Sequence, residues 1–322
     1  MNNESRTPMI VGVDLGVTHY RVGVVEACDG KVHILKVANT AGLSLAAFCE
    51  SLACIVRPLR EQVEGVGVAV PGFCDRGQQC IVTTCGTVPF LESCELAKAV
   101  GKRLNAPAWV DNDARAHAEG EYEYGGWGKP RSLVVMTLGT GVGLAWRING
   151  QVYPPPDHGA QGGHMAVLFP GGNPCYCGID GCLESFASGT AIAAAANERL
   201  ARFYPSKLRA PAESEQICAL GNTDDLAQRC VARAVESLRA ALHTIHHLYF
   251  PDIVVLGGSV ARGLWPHLGP LRKWFAREER FDGRTNRLVL SRLGDKSGVL
   301  GAAAFVRQKL QREMPQSAVS AA

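Results

Sequence analysis

Short apolar runs separated by glycine-rich turns give the chain its rhythm. Residues 9–14 (Met-Ile-Val-Gly-Val-Asp) read as a strand, followed by a Gly/Thr turn and a second strand over 20–25; Asp29-Gly30 marks the next hairpin turn. The plan returns later. Residues 133–137 run into Leu138-Gly139-Thr140-Gly141-Val142-Gly143, a strand continues through Ile148, and Asn149-Gly150 turns the chain. The interval is too long for a solenoid, so the repeat predicts two duplicated α/β domains.

Between the two units lie an apolar strand over 66–70, closed by Pro71-Gly72, and a helix over 96–104. The next strand, Ala108-Trp109-Val110, runs into Asp111-Asn112-Asp113, with a helix starting at Ala114-Arg115-Ala116. Further on, the alanine-rich stretch 187–202 predicts one helix, and helical spacing of apolar residues predicts a long one over 226–249. Pro251-Asp252 ends it, and a buried strand over 253–256 leads to Gly257-Gly258-Ser259. A last helix near Gly298 is expected to pack back on the first domain. No low-complexity linker intervenes, so a hinge is expected rather than a tether.

Composition narrows the function. With 47% apolar and 20% charged residues over 322 positions, the chain reads as a soluble globular protein. A formal charge of +3 and no basic run with interleaved aromatics argue against a nucleic-acid partner. The polar N-terminus has no apolar signal region, and no stretch reaches the ~18 apolar residues of a spanning helix, so a cytoplasmic location without membrane contact is expected. The tail after Glu313 is small and polar and is expected to fray.

The richest chemistry lies in one short stretch. His164 is followed by Cys175, Cys177 and Cys182 in a run containing Gly178 and Gly181. Imidazole and thiolates suit tetrahedral Zn²⁺, and four of them close a structural site with no place for water, which disfavours a zinc hydrolase. The alternative is three buried thiols beside a surface histidine. The other nine cysteines (Cys28, Cys49, Cys54, Cys74, Cys80, Cys85, Cys94, Cys218, Cys230) read as small buried hydrophobes. His243, His246 and His247 share helical spacing and read as a solvated face, while His117 and His158 stand near the candidate site by sequence alone.

Two turns are candidates for phosphate. Gly139-Thr140-Gly141 can aim backbone N–H groups at an anion, and Asp14-Leu15-Gly16-Val17-Thr18 adds a carboxylate able to hold Mg²⁺ through water. There is no G-x-x-x-x-G-K-[ST], and Leu144 breaks the dinucleotide fingerprint. Asp113 is the candidate base; capping the following helix is its competing role.

Asp14-x-Gly16-x-Thr18, Asn112-Asp113, Leu138-Gly139-Thr140-Gly141, Gly163-His164, the cysteine run ending in Glu184, and Leu256-Gly257-Gly258 occur in an order that resembles the ROK family of sugar kinases and sugar-responsive repressors. The likeness runs from about residue 9 to about residue 307. It implies a two-lobed, actin-like (ribonuclease-H-like) α/β fold with duplicated domains and ATP and sugar in a central cleft. Lobe boundaries are expected at 1–115, completed by a helix over 298–314, and 116–297 with the zinc loop.

The resemblance implies an ATP-dependent hexose kinase moving the γ-phosphate to a sugar hydroxyl, usually O6 of glucose or a related hexose. Asp113 would be the base. Asn112, Gln161, His164, Glu184 and Gly72 would line the sugar. Asp14, Gly16, Thr18, Gly139, Thr140, Gly141, Gly257 and Gly258 would hold ATP and Mg²⁺, and His164, Cys175, Cys177 and Cys182 structural Zn²⁺. Homodimers are usual in such kinases.

Departures bear on specificity. Val17 stands for a usual glycine, Gln161 for a glutamate, and Arg115 for an asparagine; residues 83–90 lack an asparagine that often touches the sugar. The alternatives are a kinase for N-acetylmannosamine or allose and a catalytically silent sugar sensor. A transcription regulator is disfavoured because only eight residues precede the first strand, too few for a helix-turn-helix.

Overall fold

The computed structural model describes residues 7–75, 77–153, 161–168, 172–277 and 286–313. His158 and the tail after Glu313 lie outside them. The chain divides into two compact units, Met1–Lys129 with Val152–Gly159 and Asp295–Ala322, and Pro130–Gln151 with Ala160–Gly294.

The first unit opens with β1 (Met9–Leu15), β2 (His19–Glu26) and β3 (Val32–Asn39), then α1 (Leu45–Val56) and β4 (Val63–Val70). A small hairpin, β5 (Phe73–Asp75) and β6 (Cys80–Thr83), precedes α2 (Leu96–Leu104), β7 (Ala108–Asn112) and α3 (Asp113–Tyr124). The sheet order is β3-β2-β1-β4-β7, with β1 antiparallel to β2 and parallel to β4. Strand β1 is buried along its whole length, its apolar run over 9–13 and the charged Asp14 alike.

The second unit repeats that topology. It runs through β8 (Ser132–Leu138), β9 (Val142–Ile148), β10 (Gln151–Tyr153, whose last two residues fall within the first unit's range), α4 (Glu184–Ala187), α5 (Gly189–Ala201), α6 (Ser214–Leu220) and α7 (Asp225–Tyr249). Then follow β11 (Ile253–Gly257), α8 (Ser259–Leu264), α9 (Gly269–Arg277) and β12 (Arg287–Leu290). The sheet order is β10-β9-β8-β11-β12, again with an antiparallel pair, β8–β9, beside the parallel pairs β8–β11 and β11–β12. Each unit has its own apolar cluster.

The final helix, α10 (Ser297–Glu313), packs in the first unit against β1, β4 and α3. Glycine makes the approach possible: a Cβ at Gly301 would stand 1.7 Å from the Ala116 carbonyl oxygen, and one at Gly12 would stand 2.1 Å from that of Val299. Because α3 lies along α10, the division falls after Lys129 rather than between residues 115 and 116.

Other expectations change as well. The stretch 187–202 is two helices, because Ser188 is extended (ψ 156°) and its side chain caps α5 by accepting from Ala191 N at 3.0 Å. Cys28, Cys54 and Cys85 are exposed rather than buried, on a turn, a helix surface and a left-handed loop residue. His243 and His247 are exposed, but His246 is buried: its Nδ1 meets the Asn286 amide at 2.5 Å and its ring packs edge-on against Trp274.

Candidate active site

Strand β7 passes directly into α3, and that junction carries the candidate base of the first unit. Asn112, the last residue of β7, is the helix cap: its Oδ1 accepts Arg115 N at 3.3 Å. Its amide donates to the Gly72 carbonyl at 3.1 Å, tying the junction to the loop after β4. Gly72 is at φ +85°, where a Cβ would stand 2.3 Å from the Thr83 oxygen. With capping done by Asn112, Asp113 opens the first helical turn with its side chain partly buried. Its Oδ1 accepts the neighbouring Ala114 N–H at 2.8 Å.

Burial pushes the Asp113 carboxyl up to about 6. His117, one turn along α3, works against that rise, and the charge of Asp14 adds to it. Asp14, at the end of β1, lies 3.9 Å from both the His117 ring and the Arg21 guanidinium. The turn that follows is held by Gly16 N to His19 O at 2.9 Å and by Thr40, which binds Gly16 O at 2.9 Å and Thr18 O at 3.0 Å. Val17 and Thr18 keep their backbone N–H groups without partners among the described residues. Val17 is not in the left-handed region and its side chain is exposed, so the turn accommodates the β-branch.

Sequence reasoning passed over what holds this junction. Arg115 is buried and donates Nε to Asp111 Oδ1 at 2.9 Å; the same oxygen accepts Asn112 N at 2.8 Å. The available signal was a pair of opposite charges close in sequence on either side of the strand-to-helix junction. Glu92 organises the loop 83–88, accepting from Thr84 N, Thr84 Oγ1 and Gly86 N at 2.9, 2.5 and 3.0 Å, and these bonds hold its carboxyl down at about 2.

The second unit carries the equivalent turn. Gly139 N binds Gly141 O at 3.0 Å and Gly139 O accepts Gly189 N at 2.7 Å, while the Thr140 and Gly141 N–H groups have no partner among the described residues. Glu184, first in α4, accepts Val142 N on Oε2 at 2.7 Å and lies beside Gly141 and Gly163. It thereby joins the glycine turn to the cysteine loop. Gly257 is buried at the end of β11; Gly258, at φ +94°, lets the chain pass the Leu138 carbonyl, which a Cβ would meet at 2.2 Å.

His164, Cys175, Cys177 and Cys182 converge, their ligand atoms all within 4.8 Å of one another. Cys175 Sγ lies 3.4 Å from His164 Nδ1, and the Cys177 and Cys182 sulfurs 3.5 Å apart. Ligands at about 2.3 Å around a tetrahedral ion stand roughly 3.8 Å from one another, so the donor set fits Zn²⁺. Gln161 is exposed, at the start of the 3₁₀ turn Gly162–His164.

Comparison with known proteins decides the family. The ROK family model matches residues 10–309. A glucokinase of Thermotoga maritima is 31% identical over 316 residues, covering 94% of this chain and 98% of its own length. The chain belongs to the ROK family. A crystal structure of a Streptomyces griseus ROK glucokinase in complex with glucose and AMPPNP superposes with a TM-score of 0.77 at 27% identity, covering 93% of this chain and 99% of that one. The ROK relatives also include a xylose repressor of Caldicellulosiruptor bescii, 24% identical over 92% of this chain and 77% of its own length. The duplicated five-stranded units thus form the actin-like α/β fold of ROK sugar kinases. No helix among the described residues is long and apolar enough to cross a membrane.

Proposed function

We infer that this ROK protein is an ATP-dependent hexose kinase, transferring the γ-phosphate of ATP to a sugar hydroxyl, O6 of glucose or a related hexose. The observation that carries the reading is Asp113, relieved of capping by Asn112 and lifted by burial to about 6. A carboxylate with that affinity for protons accepts one from a hydroxyl far more readily than an exposed aspartate does. A sensor related to the repressors has no need of such a group.

The roles follow from chemistry. Asp113 takes the hydroxyl proton as the oxygen attacks phosphorus. The unpartnered N–H groups of Val17, Thr18, Thr140 and Gly141 suit phosphate oxygens and supply positioning, the main requirement of phosphoryl transfer. Mg²⁺, when bound, neutralises phosphate charge, and Asp14 is the carboxylate suited to hold it through water. Gly257 and Gly258 leave a side-chain-free surface suited to adenosine. Oε1 of Glu184, one remaining amide hydrogen of Asn112, and the exposed Gln161 are suited to sugar hydroxyls, with Gly72 fixing Asn112.

Zn²⁺ fits the cluster of His164 and the three cysteines in a structural role, fixing the loop that presents Glu184. A cytoplasmic homodimer is the form expected of such an enzyme. A coupled ADP-release assay with Mg-ATP against glucose, N-acetylmannosamine and allose tests the reading. Turnover on one of them supports it and identifies what Gln161 selects. Sugar binding without ADP release from any of them would favour a silent sensor.

A further inference from the structure

Two sulfurs of the cysteine loop are close together but unequally placed. Cys177 is exposed, on a turn closed by Gly178 N to the Cys175 carbonyl at 3.0 Å. Cys182 is buried, bridged to Ala166, and held by the bond from Leu183 N to the Met165 carbonyl at 2.8 Å. Their Sγ atoms stand 3.5 Å apart, and they lie 4.0 and 3.5 Å from one shared acceptor, the Ile179 carbonyl oxygen. Bonded sulfurs stand at about 2.05 Å, so closing the gap takes roughly 1.5 Å. Gly178 at φ +89° and Gly181 at φ +83° lie between the two cysteines, and no Cβ restrains the chain at either. Other thiols have different neighbours. The exposed Cys28 and Cys54 face the carboxylates of Glu26 and Glu50 at 3.7 and 3.9 Å, and Cys175 faces His164 Nδ1 at 3.4 Å.

We propose that Cys177 and Cys182 are an oxidation site, closing to a reversible disulfide under attack by a hydroperoxide. The Cys177 thiolate takes one peroxide oxygen as the O–O bond breaks, which gives a sulfenic acid; the departing hydroxide gains a proton and becomes water. The Cys182 thiolate then attacks that sulfur, the S–S bond forms, and the second hydroxide leaves, likewise protonated to water. The two sulfurs give up two electrons, and hydrogen peroxide is reduced to two waters.

The bond has a consequence for the loop. It spends two of the four donors of the zinc site, and a disulfide sulfur has no charge with which to hold the ion. Glu184 stands two residues past Cys182 and accepts Val142 N at 2.7 Å, so a loop that lets go of its metal loosens that anchor as well. This second half rests on the zinc reading given above; the disulfide half does not.

The test treats full-length protein, as purified, with hydrogen peroxide and maps its peptides by mass. Cleavage on the N-terminal side of Asp180 puts Cys177 and Cys182 on separate peptides, which stay together only if a bond joins them. The peptides are expected to remain joined in wild type and in C175S, lighter than their sum by two hydrogens, and to part on reduction with dithiothreitol. In C177S they are expected to part without it. Peptides of oxidised wild type that part without reductant, or that stay joined in C177S, overturn the pair. A chromogenic chelator is expected to read about one equivalent of zinc released as the disulfide forms, and the Val142 amide to exchange its hydrogen about tenfold faster. Zinc retained in the disulfide form overturns the release, and unmoved Val142 exchange overturns the link to Glu184. Protein that carries no zinc as purified overturns the ligand reading instead, and the peptides still decide the disulfide.

Discussion

Asp113 carries an opposition between stability and activity. Its carboxyl ordinarily titrates at 3.8 and is raised to about 6 by burial, so the folded protein holds the proton more tightly than the unfolded chain. The cost of ionising it is absent below 3.8, grows as the pH rises, and is complete above about 6. Asp113→Asn is therefore expected to stabilise the protein at pH 7.5 by about 1–3 kcal/mol, read by chemical denaturation, while lowering kcat by three orders of magnitude or more. The base works deprotonated. The kcat/KM of wild type should accordingly fall about tenfold per unit as pH drops below about 6, and a flat profile from pH 5 to 8 would remove the assignment.

At the same scale, Arg115 and Asp111 form a buried pair beneath the site. Arg115→Met strands the Asp111 charge and should cost about 3–5 kcal/mol, with D111N/R115M recovering much of the loss. A loss in the double variant equal to the sum of the losses in Asp111→Asn and Arg115→Met would show that the pair carries no coupling. Asp113 was legible in the sequence as a carboxylate between strand and helix. Its neighbours' tasks were less so: Asn112 as the cap, and Glu92 as the organiser of a loop several residues away, depend on bonds that no local pattern announces.

Among elements, the strand–glycine turn–strand units were the strongest signal, and both sheets grew from them. What went unread was weaker for physical reasons. β3 is an exposed edge strand with polar interruptions, β12 has four residues, and β10 has three. The helix expected over 187–202 breaks at Ser188 because a side-chain cap outcompetes helical continuity in an alanine-rich stretch. The convergence of His164 with Cys175, Cys177 and Cys182 was legible because their residue types and spacing, rather than any backbone pattern, announce it.

That loop also carries a prediction at the element scale. Its ligand atoms already converge, so Cys177→Ala should abolish bound zinc and raise the hexose KM about tenfold by loosening His164 and Glu184, with a smaller effect on kcat. Metal analysis and steady-state kinetics read both quantities. Full zinc content in that variant would show that the ligand set is wrong.

For the whole molecule, the duplication explains how one chain can supply two similar turns with different attachments. The first lies beside Asp14, and the second is joined to Glu184 through Val142. Membership of the ROK family and the likeness to a glucokinase structure accord with a sugar kinase. The Asp113 assignment gives it a direction, toward transfer rather than sensing. The most direct measurement is coupled ADP release with Mg-ATP and the hexose panel, run on wild type and Asp113→Asn with sugar affinity measured in parallel. The account predicts turnover of one hexose by wild type and almost none by the variant, at similar sugar affinity. Silence of folded, zinc-loaded wild type across the panel, or a near-normal kcat in the variant, would contradict it.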